Sequence, residues 1–166
     1  QVKIRIEFDY LLGEGILSKN DTTDSVIDAI ATGCYEDARK SVEAAKATLD
    51  VLSARYPMVL VSNFYGNIQA VLDDFKLTSY FPVVIESAVV GVRKPDPAIF
   101  RLGVEALALQ PEEVVVIGDS YRKDIQPAQS LGCDTIWIKG AGWDDSEAAV
   151  QHDKIITDIA QLQELL

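Results

Sequence analysis

Short apolar runs recur through most of the chain, each followed by a stretch with helical spacing, and this alternation limits what the sequence can fold into. Residues 58–61, 83–85, 114–117 and 135–138 are such runs. They are too short for buried helices, and their unbroken apolar character fits strands covered on both faces. Between them, residues 66–75, 97–107 and 123–131 carry apolar side chains at helical intervals. Asp96 followed by Pro97 reads as a cap and first turn, and Gly132 reads as a helix stop. Residues 154–156 read as a fifth strand and 158–165 as a closing helix. Strand–helix alternation predicts an α/β fold, a doubly wound parallel sheet of Rossmann-like type with helices on both faces. Its strands end on one edge, and the residues just beyond them are where ligands bind in such sheets.

The first 40 residues break the pattern. Val2-Lys3-Ile4-Arg5-Ile6-Glu7-Phe8 alternates apolar and polar and predicts a half-exposed strand. Asp21-Thr22-Thr23-Asp24 predicts a helix start ahead of Val26, Ile27 and Ile30. A further helix is expected over residues 35–54, with Ala38, Val42, Ala45, Leu49 and Leu52 on one stripe.

Charge and cysteine usage narrow the function. The formal net charge of the 166 residues is -11. An acidic surface repels nucleic acid and anionic membranes, so neither is an expected partner. Cys34 and Cys133 lie far apart and in no metal-type spacing, and both read as buried thiols of a cytoplasmic protein. His152 reads as a lone surface histidine. No apolar run is long enough to span a bilayer.

Three strand ends carry groups suited to one chemistry. Ser62 and Asn63 follow the first core run, and Gly118, Asp119, Ser120 and Asp124 follow the third. Between these segments lies Gly91-Val92-Arg93-Lys94-Pro95-Asp96-Pro97. Taken singly, Ser62 is as well read as a helix cap, Lys94 as a solvated loop lysine, Asp119 as a turn residue and Asp124 as a cap. Together they supply what an anionic phosphoryl group needs: hydroxyl and N–H donors, an ammonium, and carboxylates for a divalent cation that offsets their own repulsion.

Val59-Leu60-Val61-Ser62-Asn63, Gly91 through Phe100, and Val116-Ile117-Gly118-Asp119-Ser120-Tyr121-Arg122-Lys123-Asp124-Ile125 resemble three motifs of the haloacid dehalogenase-like hydrolases. The resemblance covers roughly residues 45 to 165. It implies that Ser62 and Asn63 bind the transferring phosphoryl oxygens and that Lys94 neutralises phosphate and nucleophile. It further implies that Asp119 and Asp124 serve Mg²⁺, Asp124 also orienting Lys94, with Ser120 assisting. Members that cleave carbon–halogen bonds need no metal and tend to lack the acidic residue found here at Asp119. The resemblance therefore points to the phosphatase branch: a Mg²⁺-dependent phosphomonoesterase acting through an aspartyl-phosphate on a small phosphorylated metabolite. A 2-haloacid dehalogenase and a non-catalytic phosphate-binding module are the alternatives.

The family nucleophile, the first residue of Asp-x-Asp-x-Thr on a central strand, has no match in these residues. Asp9 is the nearest imitation, but Leu11 stands where the second aspartate belongs. The expectation is a longer native product. On that reading residues 1–40 are the remnant of a helical cap, and residues 41–166 are the core without its first strand. Such a sheet has a gap, and its exposed edges predict association as a homodimer or by strand swapping. A dinucleotide-binding fold is disfavoured because no Gly-x-Gly-x-x-Gly follows a strand, and Gly140-Ala141-Gly142 opens no clear helix.

Overall fold

The computed structural model describes residues 2–140, 147 and 149–166, leaving aside the side chains of residues 2, 3 and 21. The chain forms two compact units, Gln1–Lys46 and Ala47–Leu166. Of the Gly140-Ala141-Gly142 run, residues 141 and 142 lie outside the described residues.

The first unit is helical. Helix α1 spans Val2–Gly13 and α2 spans Asp21–Arg55. The strand expected over residues 2–8 is therefore not formed. The alternation there masks a second pattern: Ile4, Phe8, Leu11 and Leu12 are half-buried, while Ile6 and Tyr10 face out. Those four positions follow the i, i+4, i+7, i+8 spacing of a helix face. Asn20 opens α2, its Oδ1 accepting the Thr23 N–H at 2.9 Å, one residue before the expected start. The two helices read over this region are one, of 35 residues, because the exposed Gly33 costs only about 1 kcal/mol in a helix interior. Ile27 and Ala31 are buried, and Arg5 pairs with Asp28 at 2.5 Å.

The second unit is α/β with parallel strands. Its elements are β1 (Val59–Ser62), α3 (Ile68–Asp74), β2 (Val83–Glu86), α4 (Ser87–Val90), α5 (Ala98–Leu107), β3 (Val115–Gly118), α6 (Gln126–Ser130), β4 (Asp134–Ile138), β5 (Ile155–Ile156) and α7 (Leu162–Leu165). A single π-helical turn, Tyr121–Ile125, leads into α6. Helix α5 starts one residue after the expected Pro97, which is its cap position, and Asp96 Oδ1 accepts the Ala98 N–H at 2.9 Å.

The strands form two sheets, β1-β2 and β3-β4-β5, all pairs parallel. Among the described residues no ladder joins β1 to β3. Yet both strands share their cover. On α5, a Cβ built at Gly103 would stand 3.1 Å from Val61 Cγ2, while its neighbour Val104 packs with Val114 and Val116. On the opposite face Val115 and Ile117 join Met58, Leu52, Ile136 and Leu162. The alternation along β3 thus feeds two apolar layers, with α5 and α6 on one side and the end of α2 and α7 on the other. The central strand β4 is closed on both faces, with Thr135, Ile136 and Trp137 at 2%, 1% and 1% exposure. Strands β1 and β3 remain only half-buried throughout, although their sequences are as apolar.

Cys133 is buried but Cys34 is exposed on α2, so only one of the two expected buried thiols is found. Its flanking residues explain this: Ala31 takes the inward position and Cys34 does not. No described helix is long and apolar enough to cross a membrane.

Candidate active site

The loop after β1 is braced by residues that end β2. Ser62 stands opposite Glu86 in the parallel register. The buried Glu86 accepts the Gly66 N–H on Oε1 at 2.5 Å. Gly66 meets it with a φ of +91°, a conformation that favours glycine. Ser87 Oγ accepts the Phe64 N–H at 3.2 Å and donates to the Phe64 carbonyl at 3.3 Å. These contacts fix the backbone that carries Ser62 and Asn63.

Asn63 does not reach outward. Its Oδ1 accepts the Lys94 N–H at 2.8 Å, and its Nδ2 donates to the Lys94 carbonyl at 3.0 Å. One side-chain amide thereby replaces a strand partner for Lys94 and locks the loop of residues 91–97 onto the end of β1. The side chain of Asn63 is spent in this way, leaving only its backbone for the phosphoryl role expected of it.

Lys94 then spans to β3. Its Nζ lies 2.6 Å from Asp124 Oδ1, with the side chains 18% and 5% exposed. Nζ also sits 5.4 Å from the centroid of the Phe100 ring. Asp124 accepts on its other oxygen as well, from the Ser120 N–H at 3.1 Å. A buried carboxylate engaged on both oxygens by an ammonium and an N–H is held in one orientation.

Space for Asp124 comes from Gly118. A Cβ at that position would fall 2.3 Å from Asp124 Cβ and 2.7 Å from its Cγ. The glycine at the end of β3 is thus a packing requirement. Beyond it, the carbonyl of Asp119 accepts from Trp137 Nε1 at 3.1 Å, so the buried strand β4 steadies the peptide on which Asp119 stands. The Asp119 carboxylate is exposed. Among the described residues neither it nor the Ser62 hydroxyl has a hydrogen-bond partner. No group of three or more His, Cys, Asp or Glu able to cage a metal occurs among the described residues. A hard cation that keeps most of its waters needs only one or two carboxylates beside a phosphate, and Asp119 meets that requirement.

The sequence-predicted residues therefore divide. Asn63, Lys94 and Asp124 are joined in one chain of hydrogen bonds across the ends of β1 and β3. Ser62 and Asp119 flank that chain with unengaged oxygens. Asp9 is elsewhere in kind: it lies exposed in the middle of α1, not at the end of a strand. Glu86, Ser87 and Trp137 join the site without a role expected from the sequence, and Gly118 joins it as a packing position rather than a ligand. The first three act across sequence distances that spacing does not reveal. His152 is half-buried rather than free at the surface. Its Nε2 lies 2.8 Å from Thr135 Oγ1, and Nδ1 accepts the Lys154 N–H at 3.0 Å.

Known proteins resemble this chain in sequence and in fold. The family described as haloacid dehalogenase-like hydrolase matches residues 8–132. A glyceraldehyde 3-phosphate phosphatase of Pyrococcus furiosus is 36% identical over 93 residues, which are 55% of this chain and 39% of that protein. A crystal structure of a HAD phosphatase from Thermococcus onnurineus is 30% identical, with a TM-score of 0.64 over 72% of this chain and 54% of that one. A 2-haloacid dehalogenase structure from Pseudomonas syringae is 27% identical, with a TM-score of 0.58 over 72% of this chain and 50% of that one. The chain spans about half the length of the proteins it matches. It belongs to the haloacid dehalogenase-like hydrolase family.

Proposed function

We propose that this member of the haloacid dehalogenase-like hydrolases carries the phosphate- and metal-holding part of a phosphomonoester phosphatase site. The observation that carries the reading is the Asn63–Lys94–Asp124 chain, which sets a fixed ammonium between two strand ends that each present an unengaged oxygen group. A phosphoryl group between them takes a hydrogen bond from Ser62 and charge from Lys94. Asp119 holds Mg²⁺, which when bound supplies Lewis-acid stabilisation of the phosphoryl oxygens. With both oxygens engaged, Asp124 positions Lys94 and the Ser120 turn, and metal ligation falls to Asp119. Small phosphorylated metabolites are the substrate class, supported by the phosphatase names among the relatives.

The attacking aspartate of an aspartyl-phosphate mechanism comes from outside these 166 residues, on a strand that fills the interval between β1 and β3. Residues 1–40 are the remnant of the helical cap. Two observations support the strand between β1 and β3: the two share α5 but not a ladder, and both stay half-buried. The test is an assay of this chain with a phosphomonoester and Mg²⁺. No turnover is expected. Steady hydrolysis abolished by Asp119→Asn would show that the chain holds its own nucleophile.

The dehalogenase neighbour favours a second reading on the same scaffold. It predicts halide release without metal, and it leaves the exposed Asp119 carboxylate without a role.

A further inference from the structure

The turn that follows β3 is gripped from a distant part of the chain. Glu147 lies beyond β4, and its carboxylate accepts three hydrogen bonds from consecutive residues. Ser120 Oγ donates to Oε1 at 3.2 Å, the Arg122 N–H to Oε1 at 2.9 Å, and the Tyr121 N–H to Oε2 at 3.1 Å. The first N–H groups of a helical segment have no partner within it, and a carboxylate there gains both hydrogen bonds and the favourable end of the backbone dipoles. Ser120 also accepts from the Lys123 N–H at 3.3 Å, so its hydroxyl is oriented from both sides.

These contacts meet the ones that hold the carboxylates. Trp137 fixes the Asp119 carbonyl and Asp124 takes the Ser120 N–H. Residues 119–122 are thus held at every peptide, and Glu147 supplies the bonds at 120, 121 and 122. The bonds that Glu147 makes to residues 120–122 act on the site through the peptides that carry Asp119.

We propose that Glu147 is a positioning residue for the metal-binding turn. It aligns the Asp119 carboxylate by pinning Ser120, Tyr121 and Arg122, and this rests on the reading that Asp119 holds the divalent cation. A residue placed behind a metal ligand in this way changes affinity by about 10- to 100-fold when lost.

The test compares Glu147→Ala with Glu147→Gln in this chain, using Mn²⁺ as the probe cation and amide hydrogen exchange as a second readout. Both variants lose the same charge, but glutamine keeps a carbonyl acceptor. The expected result is a 10- to 100-fold weaker Mn²⁺ affinity for Glu147→Ala, a smaller loss for Glu147→Gln, and faster exchange at Tyr121 and Arg122 in the alanine variant. Equal losses in the two variants would mean simple charge attraction and would overturn the proposal. So would unchanged exchange at Tyr121 and Arg122. If the unsubstituted chain binds no Mn²⁺, the metal reading of Asp119 fails, and the exchange measurement alone still decides whether Glu147 pins the turn.

Discussion

At the scale of single residues, Asp119 and Asp124 differ in ways that predict opposite behaviour. Asp119 is exposed and its carboxylate has no partner among the described residues, so Asp119→Asn leaves stability within about 0.5 kcal/mol. On the proposed reading its effect falls on Mg²⁺ binding. Lys94 and Asp124 form a part-buried pair with 18% and 5% side-chain exposure. Lys94→Met leaves the Asp124 charge uncompensated and costs about 3 to 5 kcal/mol, read as a shift in urea midpoint. Gly118→Ala drives a methyl into Asp124, with 2.3 Å between the two Cβ positions, and a loss of about 1 to 3 kcal/mol is expected from the forced shift. The two cysteines separate similarly. Burial pushes the Cys133 thiol up from its usual range, while Cys34 is exposed. Alkylation of the native chain should label Cys34 alone, and Cys133 only after denaturation.

At the scale of elements, β4 and β5 share one ion pair that makes their union sensitive to acid. Lys154, which precedes β5, pairs with Asp134 at the start of β4. That contact, with the Thr135 N–H and the Lys154 charge, holds the Asp134 carboxyl below its ordinary value of 3.8 despite slight burial. A depressed carboxyl stabilises the folded state above the unfolded value, and the contribution is lost as the pH falls through the folded one. Exchange of the ladder amides Trp137 and Lys139, which donate to Lys154 and Ile156, should therefore quicken below about pH 4. In Asp134→Asn that pH step should be absent. The same elements show what the sequence could reveal. The core strands announced themselves because each is a dense apolar run, and the Ser62, Lys94 and Asp119 loops followed from where those runs stop. Helix α1 did not, because a seven-residue alternation fits a strand and a helix stripe equally well, and burial of Ile4, Phe8, Leu11 and Leu12 decided the matter. The spent amide of Asn63 and the grip of Glu147 were not legible at all. They depend on which distant loop meets which, and residue spacing carries no record of that.

At the scale of the molecule, the sheet is in two pieces under one helical cover. Strands β1 and β3 each keep an edge with no strand partner among the described residues, and unpaired parallel edges invite pairing with another chain. Light scattering after size exclusion should show a mass above 18.2 kDa that rises with concentration; a constant monomer mass would show that the edges are covered. Completeness of the sheet bears on the proposed chemistry as well, since the strand proposed for the interval is the one proposed to carry the attacking aspartate. The central claim, however, concerns what the chain holds by itself. It is tested most directly by calorimetric titration of phosphate into the chain with Mg²⁺, alongside Asp119→Asn and Lys94→Met. The account predicts saturable, Mg²⁺-dependent binding that Asp119→Asn abolishes without unfolding and Lys94→Met weakens by roughly 10- to 100-fold. Binding that is absent, or that is indifferent to Mg²⁺ and to both substitutions, would contradict it.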